Sequence, residues 1–310
     1  MTLLVILFAS FFLFCLPAQA AGKDLTGKTI VITGASSGFG RGVALKLAAA
    51  GANVVLAARR ANLLQKLATE CGAALVVPAD VSDEESVKYL RDQAVKRFGR
   101  IDVWINDAGV GTIGKFTDIP LADHRKTIET NLIGTVNGSY FAMLQFKQQH
   151  AGTLINVSSI SGKVATAYYS SYSASKFAVR GLDRALRAEL DAEGEHGIHI
   201  CTVMPMPAST PFWQHAANYT GHKIKPYPVC TADKVVDAIV DLVYSPKDEV
   251  PVGTTTKVAF AALKLAPTLT EFKMAKIIRK HQIEAGIAAP STDGILFKPM
   301  LAGAGVNADR

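Results

Sequence analysis

From Lys28 to about Val250 the chain alternates short apolar runs with helical stretches of ten or more residues. Strands are expected at Thr29–Thr33, Asn53–Ala57, Leu75–Val77, Ile101–Ile105, Thr153–Val157 and His199–Val203. These runs carry few charges, as strands covered on both faces must. Strands separated by helices pair in parallel, with each helix forming the crossover. The pattern predicts an α/β fold: a doubly wound parallel sheet in a single domain, with helices on both faces. The formal net charge is +7, but the basic residues are dispersed, and no Lys/Arg block is interleaved with aromatics. Nucleic acid is therefore not an expected partner. The 4 cysteines form no CxxC and no His pair completes a zinc pattern. They read as free thiols, with no metal site.

The two ends differ from this middle. Leu3–Leu16 is almost wholly apolar, and Ala18-Gln19-Ala20 follows as a small-x-small cleavage pattern. Thr2–Gly22 is also long enough to cross a hydrocarbon core of about 30 Å. Lys23 and Lys28 lie just beyond it and favour a following domain held in the cytoplasm. Residues 1–22 thus read as a signal peptide or a membrane anchor. The expectation is a membrane-associated protein with a cytoplasm-facing catalytic domain; the alternative is export after cleavage following Ala20. Residues 23–250 form the expected catalytic domain and 251–310 a C-terminal extension. Within the extension, Leu269–Gln282 can form a helix with Lys273, Lys276 and Lys280 on one face. Met274, Ile277 and Ile278 lie on another. Such a helix suits an anionic membrane surface or packing on its own domain. The last twenty or so residues, rich in Gly, Ala and Pro, are expected to be loose.

Gly34, Gly38 and Gly40 form a G-x-x-x-G-x-G turn between the first strand and the first helix. Glycines there allow tight backbone and close approach, and the helix N-terminus offers free N–H groups and a positive dipole end. This suits a pyrophosphate. The second strand ends Ala57-Ala58-Arg59-Arg60, without the carboxylate that would hold a ribose 2′-hydroxyl. A guanidinium instead pairs with a 2′-phosphate. The expected cofactor is NADP(H) rather than NAD(H), with Arg59 as main contact and Ser37 or Arg60 assisting. The plainer alternative is a solvated Arg pair at a helix start.

Tyr172 and Lys176 stand at i and i+4 and share a helix face. Hydride transfer to a ketone needs a proton donor at its oxygen. A phenol with pKa near 10 must drop by about 3 units, or about 4 kcal/mol, to shuttle a proton near neutrality. One ammonium at about 4 Å contributes about that much at an effective dielectric of 20.

With these residues in place, roughly Leu25 to Val250 resembles the short-chain dehydrogenase/reductase family. Thr33–Gly40 matches its TGxxxGxG turn and Tyr172-x-x-x-Lys176 its YxxxK; Ser159, with Gly162 following, matches its active-site serine segment. Asn131 matches its fourth catalytic residue. The resemblance implies a Rossmann-like sheet and a carbonyl/hydroxyl oxidoreductase. Tyr172 would be general acid/base, and Lys176 would lower its pKa and hold the nicotinamide ribose. Ser159 would bind the substrate oxygen, and Asn131 would hold a water leading from Lys176 to solvent. Ser36, Phe39, Asp80, Val81, Asn106, Ala108, Gly109 and Thr210 would join the turn and arginines in lining the cofactor, with Asp80 beside the adenine. Asn131 could equally pin a helix, and Ser158 neighbours Ser159. Two departures stand out: Asp107 replaces an amide in the NNAG segment, and Met206 replaces glycine in PGxxxT. The segment Pro211–Pro228 carries Phe212, Trp213, His215, Tyr219 and Tyr227. It would be a lid over a small apolar carbonyl or alcohol, or an aromatic cluster packed on its own domain, with His215 touching substrate or at the surface. Homodimers or homotetramers through the helices carrying Asn131 and Tyr172 are also implied. The competing reading is a non-catalytic NADP(H)-binding scaffold or redox sensor of the same fold.

Overall fold

The computed structural model describes residues 24–72 and 74–308. The apolar N-terminal segment, with its anchor and cleavage readings and Cys15, lies outside them. Among the described residues the strands are β1 (Thr29–Thr33), β2 (Asn53–Ala58), β3 (Ala74–Pro78), β4 (Val103–Asn106), β5 (Thr112–Ile113), β6 (Gly152–Val157), β7 (Ile198–Pro205), β8 (Ala217–Asn218) and β9 (Glu249–Val252). Seven make one sheet in the order β3-β2-β1-β4-β6-β7-β9, and β5 pairs with β8 separately. Every pairing in the large sheet is parallel. The strand order reverses between β1 and β4, which opens a crevice at their carboxyl ends.

Helices α1 (Gly38–Ala49), α2 (Ala61–Cys71), α3 (Glu84–Phe98), α4 (Leu121–Ile128), α5 (Gly134–Gln149) and α6 (Ser170–Glu193) follow the strands in turn. They are completed by α7 (Phe212–His215), α8 (Ala232–Tyr244), α9 (Thr254–Leu265) and α10 (Pro267–Ile277). Strand side chains alternate between two apolar layers. Ile30, Ile32, Val54 and Leu56 pack with Val43, Leu47, Leu64, Val236 and Ile239 from α1, α2 and α8. Val31, Val55 and Trp104 pack on the other face with Leu90, Phe141, Phe146 and Leu190 from α3, α5 and α6. β9, which straddles the boundary drawn at 250, escaped the sequence reading because Pro251 interrupts a four-residue edge strand.

Helix α6 carries Tyr172 and Lys176, and a buried polar network fixes it to the sheet. Asn156 Nδ2 of β6 donates to Asp183 Oδ1 at 2.5 Å, and Thr202 Oγ1 of β7 donates to Oδ2 at 2.6 Å. Burial pushes the Asp183 carboxyl up to about 6, against the Thr202 and Asn156 hydrogen bonds. Asp183→Ala strands both donors, and we expect it to destabilise the protein by about 3 kcal/mol. Urea unfolding measures this; a loss below about 1 kcal/mol would mean the network does not hold the helix.

The C-terminal extension is not loose. Pro267–Ile277 is helical and Ile278–Ile283 continues it as a π-turn. Met274 and Ile278 turn inward, whereas Ile277 is exposed. Residues 292–308 then run back across the crevice, held by the backbone bonds Ile295 N–H to His215 O, Gly38 N–H to Gly305 O, and Ala308 N–H to Ser209 O.

Candidate active site

The site grows from the β1–α1 turn. Gly34 has φ +71, and a Cβ there would lie 2.8 Å from Ala108 N. A Cβ at Gly40 would lie 2.7 Å from Gly34 O. Both positions need glycine because the turn packs directly on the loop after β4. Thr33 Oγ1 accepts from the N–H groups of Asp107 and Ala108 at 3.2 Å. Asp107 Oδ2 accepts from Gly40 N–H at 2.8 Å. The carboxylate that replaces the usual amide therefore binds the start of α1, where the helix dipole favours negative charge.

One pocket extends from this turn along the crevice. Its wall includes Gly34, Ser36, Ser37, Gly38, Phe39, Arg59, Arg60, Asp80, Val81, Ala108, Gly109, Ser159, Tyr172, Lys176 and Thr210. Three expected residues stand behind that wall. Gly40 sits under the turn. Asn106 is buried, accepting from Trp104 Nε1 and donating to Asn156 Oδ1, both at 2.8 Å. Asn131, on the π-helical turn Glu129–Ile133, accepts from Val110 N–H at 2.8 Å and donates to Val110 O at 2.9 Å. It also donates to Ser175 Oγ at 3.2 Å. Its side chain thereby pins the β4 loop to the helix.

The reacting end places Ser159, Tyr172 and Lys176 together. Ser159 precedes a 3-10 turn, Ile160–Gly162, and its Oγ accepts from Ser161 N–H at 3.1 Å. The Ser159 hydroxyl also faces the Tyr172 phenol and favours its ionised form. Ser158 is otherwise engaged, donating to Lys176 O at 2.9 Å. Lys176 is 5 % exposed, and its Nζ donates to Val157 O at 2.7 Å. Nζ lies 5.7 Å from the centroid of the Tyr172 ring.

The electrostatics differ from the simple ammonium argument. Burial pushes the Tyr172 phenol up to about 12; the Ser159 hydroxyl works downward and the Asp107 charge upward. Burial pulls Lys176 down to about 8, opposed by the charges of Asp107 and Asp183. Burial also raises Asp107 to about 7, opposed by the Gly40 N–H and Lys176. Desolvation is thus the largest influence on the phenol, and the Lys176 ammonium near it also donates to Val157 O.

At the nucleotide end, Asp80 Oδ1 accepts from Ser82 Oγ at 2.7 Å. Burial works upward on its carboxyl, but Ser82 and the charges of Lys126 and Arg59 hold it below the usual range. Both arginines are engaged by the C-terminal segment, Arg59 half-buried and Arg60 buried. Arg59 donates to Ile295 O at 2.5 Å and Leu296 O at 3.1 Å. Arg60, 8 % exposed, donates to Ser36 and Ser37 hydroxyls and to the carbonyls of Met300, Ala302 and Gly303.

The substrate side is apolar. Phe212 stands 5.8 Å from Tyr172, ring to ring, and Trp213 Nε1 donates to Ala208 O at 2.8 Å. Tyr169 OH donates to Gln282 Oε1 at 2.7 Å, linking α6 to the extension. His215 is buried, not at the surface, and its Nε2 donates to Ala302 O at 2.9 Å. The side chain of Met206 is accommodated by Gly253, at φ +96, where a Cβ would lie 2.4 Å from Met206 Sδ. Sequence reasoning missed Met274, Ile278, Gln282 and Met300 on the wall, since each comes from the extension and no local motif marks it.

Comparison with known proteins places these features in context. A family model described as short chain dehydrogenase matches residues 28–219. An uncharacterized oxidoreductase of Bacillus subtilis (strain 168), YxnA, is 33% identical over 282 residues, covering 89% of this chain and 79% of the relative. An uncharacterized oxidoreductase of Listeria innocua is 31% identical, covering 75% of this chain and 98% of its own. Among solved structures, a short-chain dehydrogenase from Streptomyces avermitilis superposes with TM-score 0.70 at 25% identity, covering 82% of this chain and 98% of its own. An alcohol dehydrogenase from the archaeon Thermococcus sibiricus, complexed with 5-hydroxy-NADP, superposes with TM-score 0.64 at 25% identity, covering 72% and 95%.

Proposed function

The chain belongs to the short-chain dehydrogenase family and is an oxidoreductase, and from that premise we propose that it reduces an apolar ketone or aldehyde with NADPH. The observation that carries this reading is the half-buried Tyr172 grouped with buried Ser159 and Lys176, facing an apolar pocket beside the glycine turn. A phenol raised to about 12 is protonated at neutral pH, so it starts as an acid, the form that ketone reduction needs.

The residues fit a dinucleotide. Gly34, Gly38 and Gly109 leave the crevice floor without side chains, and a Cβ at Gly109 would lie 3.6 Å from Lys176 Nζ. The start of α1 suits the pyrophosphate, Asp80 the adenosine end, and Arg59 and Arg60 a 2′-phosphate. When bound, the nicotinamide supplies the hydride. This chain's residues do the rest. Ser159 holds the substrate oxygen and steadies its growing charge. Tyr172 donates its phenolic proton to that oxygen. Lys176 sets a positive charge behind the phenol and holds it in place. Phe212, Trp213 and Met274 exclude water around the carbonyl.

The paired arginines at the end of the second strand, where no carboxylate stands to hold a 2′-hydroxyl, support NADP(H) over NAD(H). NADPH is expected to bind at least about tenfold more tightly than NADH, and Arg59→Asp to reverse that order. Fluorescence titration decides it; tighter NADH binding by the wild type would overturn the cofactor reading.

Pairing of two copies through α5 and α6 is part of the same proposal. It is supported by an exposed apolar stripe of Ile133, Val136, Tyr140, Leu144 and Phe177. Retention as a cytoplasm-facing, membrane-anchored enzyme is proposed on the need for an NADPH pool.

A further inference from the structure

Resting on the NADP(H) reading above, we propose that the C-terminal segment Ile295–Gly305 is a built-in competitor for the nucleotide site and sharpens selection of NADP(H) over NAD(H). The argument begins with which donors the segment uses. Gly38 N–H, at the start of α1, is hydrogen-bonded to Gly305 O at 2.9 Å. Arg59 is committed to Ile295 O and Leu296 O, and Arg60 to three further carbonyls of the same segment. These are the groups that would meet the pyrophosphate and the 2′-phosphate. The segment thus offers neutral acceptors where a phosphorylated nucleotide offers charged ones.

The competition is unequal between the two cofactors. A phosphate dianion makes charge-assisted, bidentate bonds to guanidinium, roughly twice as strong as bonds to neutral acceptors. It can displace peptide carbonyls from Arg59 and Arg60. A ribose 2′-hydroxyl is neutral and cannot, so NAD(H) must bear the cost of displacing the segment without that return. The segment is shaped for this task. Gly303 has φ +67, and a Cβ there would lie 2.5 Å from His215 Nε2, so only glycine lets the chain pass. Leu296 is fully buried and anchors one end. His215, on the lid, donates to Ala302 O and accepts from Ile295 N–H, so release of the segment also frees the lid.

Two measurements on the full chain test this. In the first, amide hydrogen exchange of residues 295–308 is followed with NADPH and NADH at saturation. Faster exchange in the complexes supports displacement; slower exchange means that the segment clamps over the nucleotide, and overturns the proposal. In the second, dissociation constants for both cofactors are compared between wild type and Gly303→Val, which dislodges the segment without altering either arginine. NADH affinity is expected to rise about tenfold and NADPH affinity to rise less, so the preference ratio falls. A ratio unchanged from wild type overturns the segment's role and leaves the NADP(H) reading standing. A wild type that prefers NADH overturns both. If Gly303→Val fails to fold, the exchange measurement on the wild type still decides.

Discussion

Tyr172→Phe is expected to lower kcat for ketone reduction by about a thousandfold or more, with NADPH affinity changed by no more than about twofold. The substitution removes one oxygen and keeps the ring. The ring packs against Phe212 at 5.8 Å and Tyr169 at 6.3 Å, and both contacts survive. What is lost is the hydroxyl that faces Ser159, the acid placed at the substrate oxygen. Ser159 alone cannot replace it, because a serine hydroxyl aids by polarising the oxygen and not by giving up its proton. Steady-state kinetics and cofactor titration on the same preparation give both numbers. A variant within about tenfold of wild-type kcat would remove Tyr172 from the chemistry.

Lys176→Met should cost about a hundredfold in kcat/KM and change the pH profile as well. Lys176 is buried and pulled down to about 8 by desolvation, so it loses its proton at mildly alkaline pH. Reduction by the wild type should be steady in the neutral range and fall as pH rises through about 8. Methionine keeps the length and packing but cannot titrate, so this limb should vanish. The Asp107 charge supports the ammonium, raising the Lys176 pKa against burial. Asp107→Asn removes that support, and the limb should move to lower pH. Rate profiles of the three proteins measure this. A limb unmoved in Lys176→Met would assign it to another group.

Much of the scaffold was readable from the chain because it is encoded locally. β1 and the glycine turn follow from a β-branched run and three glycines within a dozen residues. The i, i+4 spacing of Tyr172 and Lys176 needs nothing beyond helix geometry. The choice of Ser159 over Ser158 rested on spacing, and the structure gives Ser158 a separate partner in Lys176 O. What escaped depends on contacts far apart in sequence. Arg59 meets carbonyls 236 and 237 residues away, and no local pattern announces them. The loose tail expected from its Gly, Ala and Pro content is held for the same reason: the carbonyls of Met300, Ala302 and Gly303 converge on the distant Arg60 guanidinium. The bonds from the Asn131 amide to Val110 and Ser175 likewise join segments far apart in sequence. The i, i+4 spacing speaks only to the pairwise charge of Tyr172 and Lys176; the burial that acts on both comes from the fold.

The architecture puts the proton donor, its lysine and an apolar lid at one end of a crevice whose other end holds arginines and an acid. The donor and its lysine come from α6, the arginines from the end of β2 and the acid from the loop after β3, so the sheet order brings them together. The most direct test of the central claim follows the hydride itself. The enzyme is incubated with an apolar ketone and NADPH deuterated at both C4 positions, and the product is analysed by mass spectrometry. An alcohol carrying one deuterium on its carbinol carbon is the expected result. NADPH that binds, yet leaves every ketone tried unreduced and unlabelled, would contradict it.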